Sequence, residues 1–410
     1  MMEFEVMGAW TKRKLVDVAD EKRIAYLPSC DEHLPYIGLE HIEQQSLTLS
    51  GIGDSAETGS QKKKFQSGDV LYGSLRPYFR KIYRPKFDGV CSTDITVLSA
   101  KKRNEDSFLF YLLAGKEFID KASGASNGTK MPRAGWSIVK DFEFTIPDIK
   151  TQARIASVLS VYDDLIENNE KRIKILEEMA ERLYREWFVK FKFPGHEKVR
   201  LVDSGTEYGE IPEGWEVKQI QDLYDTSSGG TPNRNNKNEA EFYSNASIPW
   251  VKTKELNDNY ILDTEEKITE IAVKKSSAKI FPKNTVLIAM YGATIGKLGI
   301  LSLSAATNQA CCAFLLKEAD YSSYYIFQFL KSNTKKITSL AFGAAQPNIS
   351  QNTMKNIDIL KPSKGVLELY NRNIDVIFNE IFFLQRKNKN QSKIRDLLIP
   401  QLVTGKREVK

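Results

Sequence analysis

Apolar residues recur at alternating steps of four and three along two stretches, residues 151–193 and 366–399, and neither stretch contains Pro or Gly. In the first the seam is Ile155, Leu159, Tyr162, Ile166, Asn169, Ile173, Leu176, Ala180, Leu183 and Trp187. In the second it is Tyr370, Ile374, Ile377, Ile381 and Leu384, then polar Asn388 and Gln391, then Ile394, Leu398 and Leu402. This is the periodicity of a coiled-coil seam, and the remaining faces are rich in charge. Two such seams in one chain are buried most simply against each other, as an antiparallel pair. Asn169 either fixes the register from a buried position or sits at a splayed, solvated point. The wetter middle of the second seam predicts looser packing there. At about 1.5 Å per residue the first helix would span roughly 65 Å. Pro194-Gly195 is expected to stop it, and Pro400 with Gly405 to stop the second.

Between the helices the chain repeats itself. Pro147, Gly68-Asp69-Val70-Leu71, Pro35-Tyr36-Ile37 and Phe108-Leu109-Phe110-Tyr111 each find a counterpart about 215 residues on. The counterparts are Pro362, Asn284-Thr285-Val286-Leu287, Pro249-Trp250-Val251 and Tyr324-Tyr325-Ile326-Phe327. Trp10 and Trp215 pair at a shorter offset. A polar insertion, Asn233-Arg234-Asn235-Asn236-Lys237-Asn238, makes up the difference and reads as a loop. Short strands at Val70-Leu71-Tyr72, Val286-Leu287-Ile288 and Ile95-Thr96-Val97-Leu98 are expected, with one short helix over 108–121 and another over 324–337. The fold class that follows is α+β: two similar strand-rich domains separated by two long helices pairing as an antiparallel coiled coil, with pseudo-two-fold character. The expected division is 1–150, first globular domain; 151–195, central helix; 196–364, second globular domain; and 365–410, distal helix.

The chain has 410 residues, 41% hydrophobic and 27% charged, the balance of a globular protein with two or three ordinary cores. The N-terminal segment lacks a secretory pattern and no apolar run is long enough to cross a bilayer, so a cytoplasmic location without membrane contact is expected. A net charge of +6 favours a polyanionic partner. Neither the cysteines (Cys30, Cys91, Cys311, Cys312) nor the histidines (His33, His41, His196) have metal-ligand spacing. Reduced, buried cysteines are expected, with Cys311 and Cys312 on opposite faces of a strand.

Two similar domains in inverted orientation suit duplex DNA with two half-sites. Candidate DNA contacts in the first domain are Lys62, Lys63, Lys64, Arg76, Tyr78, Arg80, Lys81, Ser126, Asn127, Thr129 and Lys130. In the second they are Thr231, Lys252, Lys254, Thr294, Lys297, Asn308, Gln309, Gln346 and Asn348. These are the residue types that bind phosphates and base edges. Helix pairing is expected to rest on Ile155, Leu159, Tyr162, Ile166, Ile173, Leu176 and Leu183 with Ile374, Ile377, Ile381, Leu384 and Leu398. Catalysis is not expected. The segment Gly292 to Leu298 is one residue short of a phosphate-binding loop and has Leu298 where Ser or Thr should hold magnesium. No Asn-Pro-Pro-aromatic tetrapeptide is present. A coiled-coil assembly scaffold without DNA specificity is the alternative, and a divergent enzyme using Asp94 or Asp148 a weaker one.

Several of these segments resemble the specificity subunit of type I restriction-modification enzymes. They are Ser228-Gly229-Gly230-Thr231-Pro232, Ile248-Pro249-Trp250-Val251, Tyr291-Gly292 through Gly296-Lys297, Asn308-Gln309-Ala310, Gln346-Pro347-Asn348-Ile349-Ser350 and the terminal Leu402-Val403-Thr404-Gly405. The first domain departs from the pattern, with Thr93-Asp94 where Asn-Gln would fall. The resemblance implies a non-catalytic subunit that reads a bipartite double-stranded DNA target. It implies two modification subunits that methylate adenine with S-adenosylmethionine, and restriction subunits that use ATP and magnesium, with no cofactor in this chain. If the helices set the distance between half-sites, deleting one heptad from each (residues 166–172 and 381–387) shortens the nonspecific spacer in the methylated sequence. Mapping methylated adenines checks this, and an unchanged spacer length contradicts it.

Overall fold

A computed structural model describes residues 10–101, 106–128, 130–234, 239–317, 321–341 and 348–409. The chain divides into two compact units: residues 1–168 with 388–410, and residues 169–387. Both long helices contribute a segment to each unit. They span Ile149–Tyr184, extended by a π-helical turn Arg185–Val189, and Lys364–Val403.

In unit one, Thr11–Lys14 pairs antiparallel with Glu143–Ile146. A four-stranded sheet runs in the order Ala19–Lys22, Ile95–Ala100, Val70–Gly73, Ile82–Tyr83. A five-stranded sheet runs Ala25–Tyr26, Lys62–Phe65, Gly89–Cys91, Pro35–Ile37, Gly53–Asp54. Its Pro35–Ile37 and Gly89–Cys91 strands pair in parallel. Unit two repeats the scheme. Glu216–Gln219 pairs with Asp358–Lys361. One sheet runs Tyr224–Ser228, Cys311–Leu316, Val286–Ala289, Leu298–Leu301, Asn259–Ile261. The other runs Lys267–Ile268, Ile248–Val251, Ala305–Thr307, Ile280–Phe281, with the middle two parallel. The correspondence extends to individual hydrogen bonds: Gly73 N to Lys81 O and Ala289 N to Lys297 O are both 2.8 Å. Strands dense in Val, Ile and Leu, buried on both faces, explain why the core frame repeats while side chains at the strand ends do not.

The expected strands are present. Each expected short helix is two. Asp106–Ala114 and Lys116–Gly124 are separated at Gly115, whose backbone is extended; Ser323–Ser332 and Thr334–Ser339 break at Asn333. Cys311 and Cys312 point into different cores, as strand alternation requires, but Cys30 is exposed rather than buried.

The helices pair antiparallel within each unit. In unit one, Ile155 and Leu159 pack in the same core as Ile399, Leu402 and Val403, while Asn388 Nδ2 donates to Ile166 O at 3.4 Å. In unit two, Arg172 bonds Glu380 at 2.7 Å and Phe188 packs edge-on to Tyr370 at 4.7 Å. Ile155, Leu159, Ile166, Ile173, Ile374, Ile381 and Leu384 are buried; Tyr162, Leu176, Leu183, Ile377 and Leu398 are half-buried at the seam margins. Asn169 is buried, which resolves its two readings.

The helix ends differ from expectation. Asp148 caps the first helix: its carboxylate accepts the Thr151 N–H at 3.1 Å and hydroxyl at 2.8 Å, and these bonds hold its pKa below the ordinary value. A residue engaged in capping has a structural reason to be Asp, and the divergent-enzyme reading loses this support. The first helix ends at Val189, before Pro194, where Phe191 turns left-handed at φ 55°. The second runs through Pro400 to Val403, because Ile399, Leu402 and Val403 are buried in the unit-one core. That burial outweighs the backbone bond the proline lacks, a cost of about 3 kcal/mol.

The wet stretch of the second seam is also closed. Ile394 is 45% exposed, and Arg395, fully buried, takes the seam position beside Gln391. Arg395 Nη1 bonds Asp163 Oδ1 at 2.6 Å and its Nη2 donates to Ser46 O at 2.7 Å. The Tyr111 hydroxyl donates to the other Asp163 oxygen at 2.5 Å. Removing the cation alone leaves the half-buried carboxylate with the Tyr111 hydroxyl but without its counter-charge. Arg395→Ala is therefore expected to destabilise unit one by about 3 kcal/mol, read by hydrogen exchange on the full chain. The pair Arg395→Met with Asp163→Leu should recover most of that loss.

Candidate nucleic-acid interface

In both units the loops at one end of the sheets are tied together by the same backbone bonds. In unit one Ser74 N donates to Asp94 O at 3.1 Å, and Ala134 N to Ser74 O at 3.0 Å. In unit two Met290 N donates to Ala310 O and Ile349 N to Met290 O, both at 2.8 Å. Ser92 N to Ile37 O in unit one matches Asn308 N to Val251 O in unit two, both at 3.0 Å; Ser92-Thr93, not the expected Thr93-Asp94, therefore stand where unit two has Asn308-Gln309. An isolated bridge joins Leu75 to Arg133 in the first unit and Tyr291 to Asn348 in the second. The frame thus presents segments 74–76, 92–94, 127–128 and 130–134 in one unit, and 290–297, 307–310 and 348–349 in the other.

The glycines of unit two mark where its loops approach closely. A Cβ on Gly229 would stand 2.0 Å from Thr307 O, and one on Gly230 would strike Ser277. This contact brings Thr231 Oγ1 within 2.5 Å of Gln309 Oε1. Trp250 Nε1 donates to Gly230 O at 3.2 Å and secures the turn from beneath. Asn308 is half-buried and its Oδ1 accepts Ala310 N at 3.2 Å, while Gln309 and Asn348 are exposed. Lys297 is exposed and pairs with Asp258 at 2.7 Å; Thr294 is half-buried. Lys252 bonds Glu266, and Lys254 bonds Glu265. These lysines stand beside carboxylates rather than forming an unpaired basic surface. Gln346, Thr129 and residues 235–238 of the polar insertion lie outside the described residues.

Unit one replaces glycine by arginine at two left-handed positions. Arg76 (φ 52°) and Arg80 (φ 50°) stand where unit two has Gly292 (φ 80°) and Gly296 (φ 82°). A non-glycine residue there costs on the order of 1 kcal/mol. Arg80 has a structural role: it donates to Ala114 O at 2.8 Å, Gln45 O at 3.2 Å and Asp396 at 3.1 Å. Arg76 is exposed and lies 5.9 Å from the Phe79 ring centroid.

Three expected contacts are corrected by their surroundings. Lys62 is buried, donating to Ser60 O at 2.6 Å; Lys81 donates to Leu39 O at 2.5 Å, and burial lowers its pKa; Arg80 is occupied as above. Each side chain points back into the domain to satisfy a carbonyl, which a run of basic residues does not reveal. Lys63 reaches Ile95 O at 2.8 Å and Thr93 O at 3.1 Å. Lys64, Arg76, Tyr78, Asn127 and Lys130 are exposed, and Ser126 donates to Ser123 O. Arg133 was not among the expected contacts. It is exposed, and Nη2 donates to Asp94 Oδ1 at 3.1 Å. Carrying the repeat offset through to Asn348 would have found it.

The family model for the type I restriction modification DNA specificity domain matches residues 7–178 and 212–366. The chain belongs to this family. Among relatives, it is 29% identical over 307 residues to the type I restriction enzyme MjaIX specificity subunit of Methanocaldococcus jannaschii, covering 74% of this chain and 69% of the relative. It is 26% identical over 411 residues to the HindI specificity subunit of Haemophilus influenzae, covering 85% and 88%. The crystal structure of the type I restriction-modification S subunit from M. genitalium shares the fold: TM-score 0.56 at 15% identity, over 100% of this chain and 99% of that one. Type I specificity subunits are non-catalytic; they bind DNA and direct partner methylase and restriction activities. Among the described residues, no cluster of three or more His, Cys, Asp or Glu is placed to hold a metal, and no helix is long and apolar enough to cross a membrane.

Gly229→Ala is expected to cost about 2 kcal/mol in unit two, since the methyl group meets a backbone oxygen that has no free space. Faster hydrogen exchange around Thr307, with unit one unchanged, is the measurement.

Proposed function

We propose that unit one reads one half-site of a bipartite double-stranded DNA target and unit two the other, through the loop clusters described above. The chemistry is done by partners. Two modification subunits methylate adenine with S-adenosylmethionine, and restriction subunits supply ATP- and magnesium-dependent translocation and cleavage, in the cytoplasm. Within this scheme residues 1–150 and 196–364 are the target-recognition domains, and 151–195 and 365–410 the spacer helices.

The observation that carries this reading is a shared backbone frame bearing different side chains. Arg76, Asp94 and Arg133 stand in unit one where Gly292, Ala310 and Asn348 stand in unit two. Base edges are read by side chains, while register on the duplex is set by the backbone frame and phosphate contacts. A frame held constant while its polar tips vary fits two different half-site sequences. A scaffold would have no use for this variation.

The helices support the partner side of the proposal. Away from the buried seam, unit one exposes Val161 (53%) and Leu397 (59%), and unit two exposes Ile175 (56%), Val376 (69%) and Phe383 (57%). Large apolar side chains on charged helices fit a protein-binding surface.

The complex with its modification subunit should bind target DNA with an affinity that falls steeply with salt. Each phosphate neutralised contributes about 0.9 to the log–log slope. Titrations at several salt concentrations against target and scrambled duplexes measure this. Salt-independent assembly with no preference between duplexes would favour the scaffold.

A further inference from the structure

Arg133 is fixed in place by its backbone and by one ion pair, yet stays at the surface. Its backbone is fixed on both sides: Arg133 N donates to Asn127 O at 2.9 Å and Asn127 N to Arg133 O at 3.0 Å, while an isolated bridge links it to Leu75. The neighbouring Pro132 O accepts Arg76 N at 2.7 Å. Its guanidinium is braced by Asp94 through Nη2 alone, and among the described residues the rest of its N–H fork makes no other bond within the protein. Asp94 is itself anchored, its carbonyl accepting both Ser74 N and Ser74 Oγ, at 3.1 and 2.8 Å. Lys63 ties down the carbonyls on either side of it, Thr93 O and Ile95 O. Despite this bracing, the Arg133 side chain is 51% exposed and that of Asp94 38%. The pair does not fill a core; it holds a fork at the surface.

We propose that Arg133, positioned by Asp94, is a base-specificity residue of unit one and recognises a guanine in the half-site that this unit reads. The inference rests on the DNA-reading function proposed above. A guanidinium donates two parallel bonds to guanine O6 and N7, the commonest specific contact in the major groove. Bracing from behind lowers the entropy lost when the fork meets the base. The equivalent position in unit two is Asn348, a side chain whose amide matches adenine N6 and N7. One place in the repeated frame therefore bears a base-reading side chain in both units, with different chemistry in each. Arg76, strained and exposed on the adjoining strand end, adds a second cation beside the same site.

The test uses the full complex with its modification subunit and reads the sequences of methylated sites. The wild-type complex should require a guanine in one half-site. Arg133→Gln should lower the preference for that guanine by roughly ten- to a hundred-fold, leaving the other half-site unchanged. Arg133→Lys keeps a cation beside Asp94, and so the loop, but lacks the planar fork. It should relax the same position while keeping the salt dependence of binding. Asp94→Asn should relax it less. A purely structural role would lower methylation of an unchanged sequence, and that result overturns the proposal. So does a half-site without guanine, or a change in both halves. A wild-type complex with no sequence preference would instead refute the DNA-reading function itself.

Discussion

Each unit depends on an apolar seam that neither long helix closes alone. In unit two the core runs without interruption from Ile173, Ala180 and Tyr184 on the first helix, through Tyr325 and Ile359, to Tyr370 and Ile374 on the second. In unit one Leu159 shares its core with Leu113, Ile146 and Ile399. The helices are therefore not attachments to finished domains. Their seams and the domain faces are one buried surface, so neither forms fully without the other. Unit one draws on both ends of the chain, residues 1–168 and 388–410. Its closure thus waits on a long-range encounter, the kind of contact that slows folding.

The repeat also diverges inside the units, where one copy carries a polar set and the other an apolar one. Tyr111, Asp163 and Arg395 form a hydrogen-bonded set in unit one. The matching places along the repeat are Phe327, Phe378 and Ala180, and Phe327 packs edge-on to Phe378 at 5.5 Å. A buried charge pair is often no more stabilising than apolar residues of similar volume, because desolvation offsets the attraction. It does penalise misalignment, since a slipped register would strand two charges. Unit two instead aligns by shape, through a ring cluster in which Tyr324 stacks on Phe378 at 4.3 Å.

The same contrast runs through the loops. Gly292 and Gly296 adopt their left-handed angles at little steric cost, whereas Arg76 and Arg80 pay for them. Arg80 recovers the strain in three hydrogen bonds; among the described residues Arg76 makes no comparable set. Arg76 and Arg133 are both constrained and exposed, as a side chain kept for an outside partner would be.

Periodicity along the chain determined both helices, nearly all of their seam, the repeated strands and the opposite facing of Cys311 and Cys312. These are local consequences of 3.6- and 2-residue periods. Order and offset determined that the two domains are copies. Tertiary structure decided what period cannot carry. It placed Arg395 in the seam instead of Ile394, because Asp163 and Ser46 O lie there to receive it. It carried the second helix through Pro400, because the following turn is buried. It turned Lys62, Lys81 and Arg80 inward to meet carbonyl oxygens, and it set Arg133 against Asp94. A basic residue's availability depends on which acceptors the fold brings within reach; for Lys81 and Arg80 those acceptors come from distant parts of the chain, and for Lys62 from the turn at Ser60.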